Sequence, residues 1–164
     1  MLALASSAAA SEAAPRGAAD VNRGVRLARK GAAAEALVAF ERACRQNPGL
    51  PEAHLDRGLL LAQAGRHAEA QASFRDALAL EPEMPEALEG MALSLLQENR
   101  NRAAAAAYAQ ATRYRAASAD THYNFAIALA RLGERDRAAQ MCREAIRLRP
   151  VMTQARALLE DIER

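Results

Sequence analysis

Three histidines, two cysteines and scattered carboxylates are the residues in this chain able to hold a metal or move a proton. Metal and hydrolytic sites place such groups a few residues apart, as in HExxH or CxxC, so that one turn or helix face presents them together. Here His54 and His122 are 68 residues apart, Cys44 and Cys142 are 98 apart, and His67 stands alone just after Gly65. That spacing gives no metal set and no disulfide framework. His54 and His122 read as partly buried packing residues, His67 as an exposed turn residue, and the cysteines as small buried hydrophobes. Glu81 and Glu83 fall in a turn, where they solvate a loop. No glycine-rich phosphate loop or nucleophile motif occurs, so no catalytic residue and no cofactor is assigned. Arg131, Arg135, Arg137, Arg143, Arg147 and Arg149 form a basic stretch. Aromatics for base stacking are missing among them, and Glu134, Asp136 and Glu144 interrupt the charge, which argues against nucleic acid.

The elements that carry these residues repeat. GRHAEAQASFRDALALEP (65–82) returns as GERDRAAQMCREAIRLRP (133–150), 68 residues later. Half that distance, 34, finds GAAAEALVAFERACRQNP (31–48) behind and the worn copy NRNRAAAAAYAQATRYRA (99–116) ahead, without its opening Gly and closing Pro. Ala carries most of the 51% hydrophobic share and aromatics are 4%, a composition that favours helix over strand. In the second unit Leu55, Leu59 and Ala62 recur at helical spacing, with Leu60 and Leu61 beside them. Gly65 breaks that run, and Ala70, Phe74, Ala77 and Leu78 define a second helix. Asn47-Pro48, Glu81-Pro82 and Arg149-Pro150 stop the second helices, because a residue before Pro is driven out of the α region. Pro51 and Pro85 suit a first helical turn. The expected units are 17–50, 51–84, 85–118 (degenerate) and 119–152. A lead-in spans 1–16 and a capping helix 153–164, with Thr153 as its cap and Leu158, Leu159 and Ile162 as its apolar edge. A two-helix hairpin cannot bury its own apolar faces, so four in series must stack.

In phase with this period, the eighth places hold Gly24, Gly58, Ala92 and Ala126. The twentieth hold Ala36, Ala70, Ala104 and Ala138, and the twenty-fourth Phe40, Phe74, Tyr108 and Cys142. Ala43, Ala77, Ala111 and Ala145 fill the twenty-seventh, and Pro48, Pro82, Ala116 and Pro150 the thirty-second. The pattern over 17–152 resembles the tetratricopeptide repeat (TPR) family. That resemblance implies an all-α, right-handed superhelix of four hairpins plus a cap. It also implies a concave face made by the first helices, on which another protein's peptide or helix is held.

Carried over place by place, the resemblance puts Val21, Val25, Leu55, Leu59, Leu93, Leu96, Tyr123 and Ile127 on that face. Asn22, Arg29, Asp56, Gln63, Glu89, Gln97, Asn124 and Arg131 lie around them. The alternative for the apolar set is packing between neighbouring repeats. Asn22 and Asn124 share the sixth place, where an amide can grip a ligand backbone. Asp56 and Gly90 interrupt that ladder. The Lys and Asn of a carboxylate clamp are missing from the fifth and ninth places, so a terminal carboxylate is not the expected ligand. Glu52, Glu86 and Asp120 recur at the second place, where they complement the helix dipole or, alternatively, select a basic peptide.

Net charge is +2 overall, yet residues 50–98 carry −6 and residues 99–156 carry +7. Solvated helix faces account for this, with electrostatic steering or head-to-tail self-contact as the alternative. No 18-residue apolar run spans a membrane. MLALASSAAASEAA (1–14) looks like the back of a secretory signal, with Ala8-Ala9-Ala10 as a cleavage site, but it has no basic start and no full apolar core. The expectation is therefore a monomeric, non-enzymatic adaptor or scaffold in the cytoplasm. The alternatives are an accessory module of a larger bacterial enzyme such as a transferase, or a periplasmic assembly factor with a truncated signal.

Overall fold

Phe74 packs against glycines of two helices. Its ring is fully buried, and a Cβ added to Gly58 would sit 2.6 Å from Phe74 Cε1, while one added to Gly90 would sit 2.5 Å from Cζ. Phe40 repeats this one unit earlier, 2.6 Å from where a Gly24 Cβ would lie. A helix can come this near an aromatic ring only where it carries no side chain.

In the computed structural model, which describes residues 15–114 and 118–164, nine helices follow one another and no strand occurs among the described residues. They are α1 (Ala18–Arg29), α2 (Ala33–Gln46), α3 (Pro51–Gln63), α4 (His67–Leu80), α5 (Pro85–Gln97), α6 (Asn101–Tyr114), α7 (Ala119–Arg131), α8 (Arg135–Leu148) and α9 (Thr153–Glu163). The signal-like stretch with Ala8-Ala9-Ala10, and Ala116 at the thirty-second place of the third unit, lie outside the described residues.

Each odd-numbered helix packs on the even-numbered helix after it, and each even-numbered helix on the next odd one. Odd helices also touch one another, α1 on α3, α3 on α5, α5 on α7 and α7 on α9, whereas even helices touch no other even helix. Crowding on one side and spreading on the other bends the array, with the odd helices on the inner, concave side. The result is an all-α solenoid.

The turn inside each hairpin is built from one device. Gly31, Gly65 and Gly133 have φ of 78°, 74° and 79°, and Asn99 has 58°. At each, two hydrogen bonds close the first helix: Gly65 N–H to Ala62 O and Arg66 N–H to Leu61 O in the second hairpin, Asn99 N–H to Leu96 O and Arg100 N–H to Leu95 O in the third. This is the Schellman ending, which needs a left-handed residue. The third hairpin therefore kept the conformation after losing the glycine, since Asn is the side chain that best tolerates it.

Between hairpins the chain straightens. Leu50 and Met84 are extended (φ −102° at both) ahead of Pro51 and Pro85, as the proline ring requires. The last link corrects one expectation: Met152, 5% exposed, precedes α9, and Thr153 is already its first helical residue. An apolar anchor fixes that entry instead of a hydroxyl cap. Ser118 is the side-chain cap of α7, accepting from Thr121 N–H at 3.1 Å. α9 lays Ala155 and Ile162 on the stack and leaves Arg156, Glu160, Asp161 and Glu163 exposed.

Two outcomes follow for stability. Gly58→Leu forces a side chain into the Phe74 ring and is expected to cost about 1–3 kcal/mol, read as a lowered denaturation midpoint. At Gly65 an added Cβ meets nothing within 4 Å, so the cost there is purely conformational. Gly65→Ala should lose about 1 kcal/mol, and Gly65→Asn should melt closer to the parent.

Candidate partner-binding groove

Three adjoining hollows run along the inner side. The first, about 370 Å³ between α1 and α3, is lined by Val25, Arg29, Asp56, Leu59 and Gln63, with Phe40 among its walls. The second, about 460 Å³ between α3 and α5, takes in Leu59, Gln63, His67, Leu93, Ser94 and Gln97. The third, about 340 Å³ between α5 and α7, contains Leu59, Glu86, Glu89, Leu93, Tyr108, Asp120 and Asn124. Leu59 borders all three and Leu93 two of them. They are 38% and 39% exposed, more than a buried core tolerates, and so form an apolar ridge facing solvent.

Nine of the residues expected on the concave face thus share one surface: Val25, Arg29, Asp56, Leu59, Gln63, Glu89, Leu93, Gln97 and Asn124. The remaining seven stand apart from these hollows. Val21, Leu55, Tyr123 and Ile127 are half-buried and pack against core clusters. Asn22 is exposed, so of the two sixth-place asparagines only Asn124 borders a hollow. Arg131 crosses from α7 to the end of α5 and donates to Leu96 O and Asn99 Oδ1, both at 3.2 Å. Leu96 itself is 4% exposed and belongs to the core, because the helical period turns it away from the ridge that Leu93 occupies.

Groove residues not assigned to it from the sequence include Phe40, His67, Gly90, Ser94 and Tyr108. His67 is half-buried in the second hollow's wall, correcting its reading as an exposed turn residue, because it opens α4 and faces α5. Tyr108 had a signal that could have found it. It stands where the two preceding hairpins place Phe40 and Phe74, so packing explains its ring and not its hydroxyl.

The electrostatics differ along the groove. Burial pushes the Asp56 carboxyl above its usual range, with the Glu52 charge adding to it. Asp120 is held by Arg149 through two bonds of 2.9 and 2.6 Å. Tyr108, 1% exposed and stacked on Phe125 at 6.0 Å, has its pKa raised by burial and then by the charge of Glu89. In the middle hollow Gln63 and Gln97 present uncharged amides.

Elsewhere the histidines and cysteines are taken up largely by packing. His54 is buried with Nε2 2.9 Å from Pro48 O, and burial lowers the pKa of His122, leaving it neutral. Both cysteines are free and buried. No cluster of three metal-ligating side chains exists among the described residues. All six arginines of the basic stretch are engaged within the chain, Arg137 with Glu134, Arg147 with Glu144, Arg143 with Glu163, and Arg135 with Ile162 O. Four of the six, counting Arg149 on Asp120, meet carboxylates, while Arg131 and Arg135 meet neutral oxygen acceptors. No helix among the described residues is long and apolar enough to cross a membrane.

Models of the tetratricopeptide repeat match residues 51–84 and 89–153. Among solved structures, MamA 41-end from Desulfovibrio magneticus RS-1 superposes with a TM-score of 0.83 at 21% identity, covering 90% of this chain and 83% of that one. The chain in the structure titled "Functional Characterization of Pseudomonas Aeruginosa pilF" superposes with a TM-score of 0.75 at 16% identity, over 89% of this chain and 67% of that one. At these identities the likeness is one of fold. A search of curated proteins finds no match.

The buried acids predict an alkaline limit. Burial raises the Cys142 thiol from 9.0 to about 11, and Cys44 and Tyr108 are also raised. In the unfolded chain these groups release protons from near 9 upward, while the folded chain keeps them. The unfolded state then binds fewer protons, and stability falls as pH rises. The melting temperature should be flat with respect to these groups below about pH 8 and decline between 9 and 11. Cys142→Ser should shrink that decline.

Proposed function

The chain belongs to the tetratricopeptide repeat family, and from that premise we propose that it is a non-enzymatic adaptor holding a peptide or helix of another protein in the groove of α1, α3, α5 and α7. The observation that carries this reading is the Leu59–Leu93 ridge. Two large apolar side chains stand over a third exposed at the centre of the concave face, flanked by polar groups on both sides. Apolar side chains of a partner would be buried on the ridge, and Gln63, Gln97 and Asn124 would fix its register through amides that both donate and accept. The helices that form the groove are fixed by packing on their partners, so binding orders little of this chain and retains more of the gross interaction energy.

Ile127 packs against the core, so its replacement would test folding more than binding. Leu59→Asp and Leu93→Asp, each on exposed positions, are the informative changes. With unchanged helicity, the double variant used as bait should lose the partners recovered by the intact chain. Val151→Asp, at a position 82% exposed outside the groove, should retain them. Equal recovery by the ridge variant would remove the concave face from consideration.

A further inference from the structure

The third hollow contains an arrangement that packing does not explain. Tyr108 is 1% exposed and its hydroxyl has no hydrogen-bond partner among the described residues, although it borders the space between α5 and α7. Phe40 and Phe74 fill the same register in the first two hairpins without a hydroxyl. An enclosed polar atom with no partner destabilises a fold by about 1–3 kcal/mol, so the hydroxyl is a cost the repeat did not need. Glu89 borders the same hollow, half-buried, with no ion pair among the described residues. The adjacent Asp120 is taken by Arg149, and Arg131 is tied to the end of α5, so neither cation reaches Glu89. Residues 50–98, which supply α3 and α5, carry −6.

Resting on the groove reading above, we propose that this hollow takes a basic side chain, arginine or lysine, from the bound segment of a partner protein. Its aliphatic stem lies against Leu93 and Leu59, and its charged head pairs with Glu89. The Tyr108 hydroxyl, enclosed beneath the hollow, completes the site from below by donating to the carboxylate that the cation pairs with. Burial and the Glu89 charge both keep that phenol protonated, as a donor must be. Charge-assisted bonds of this kind give selectivity as well as affinity, because an acidic or neutral side chain would leave Glu89 and Tyr108 enclosed and unmatched. The reading also fits the missing carboxylate clamp: this groove discriminates by attracting positive charge.

The test is a random dodecapeptide display library selected on the intact chain at low salt, followed by fluorescence anisotropy on the selected peptides. Enrichment of one arginine or lysine between apolar residues is expected. Replacing that residue by citrulline or norleucine should weaken binding about tenfold, and Glu89→Gln should give the same loss with the two losses not adding. Tyr108→Phe should weaken binding about threefold while leaving the melting temperature unchanged or higher, which no purely structural role for the hydroxyl would produce. Peptides that bind without a basic residue, indifferent to Glu89→Gln but lost on Leu59→Asp, would overturn the inference and leave the groove standing. Peptides that bind Leu59→Asp as well as the parent, or a selection that yields none, would overturn both. Self-association lost on Glu89→Gln would give the hollow to a second copy and overturn the separate partner.

Discussion

An aromatic ring on the second helix of a hairpin, seated where the first helix has no room for a side chain, is the contact on which the architecture depends. Phe40 against Gly24 and Phe74 against Gly58 bring the two helices close enough to exclude water between them. Phe74 extends the contact by pressing on Gly90 of the following hairpin, so one side chain fixes both the hairpin and its successor. Burying a Phe side chain stabilises by about 1.5–3 kcal/mol, and little else in an alanine-rich chain supplies such a block of apolar surface. Alanine at the twentieth and twenty-seventh places, 0–1% exposed throughout, lets the neighbouring backbones close around the rings.

Those constraints act on residue size and backbone dihedral, and this is why the helices were legible. A ring needs a small neighbour, a Schellman ending needs a left-handed residue, and a proline needs an extended predecessor, each at a fixed offset. Where the letters changed, the physics could still be recognised. Asn99 stands in for glycine at φ 58°, and Ala92 and Ala126 replace Gly at the eighth place opposite Tyr108 and Cys142. The entry to α9 was misread because Thr153 looks like a cap, whereas a buried methionine, as at Met84, anchors the link.

The groove was legible only in part. A repeat frame says which helix faces inward, and so it found Leu59, Leu93 and the polar residues beside them. It does not say how far each helix is rolled. Leu93 and Leu96 lie about 60° apart around α5, and neighbouring hairpins set through packing which of the two meets solvent. The same holds for Arg131. Its place in the frame puts it beside the groove, but the turn at Asn99 presents a carbonyl and an amide oxygen within its reach. Long side chains find partners that no offset along the sequence encodes.

The aromatic register connects the two levels. Phe40 lines the first hollow and Tyr108 the third, so two of the three rings at this register also border the concave surface. A solenoid of this kind can therefore change what its groove recognises by exchanging one such residue for another of equal shape. Phe to Tyr keeps the ring, its stacking on Phe125 and the interhelical spacing, and adds one polar atom to the groove. The ring's demands on its neighbours are steric, and the hydroxyl's are chemical, so the second can vary while the first stays fixed. The fold tolerates such an exchange at the modest cost of one unmatched hydroxyl, because each hairpin is held by two neighbours and local loss is shared along the stack. On the proposed reading, stability and recognition are written at the same position, in different atoms.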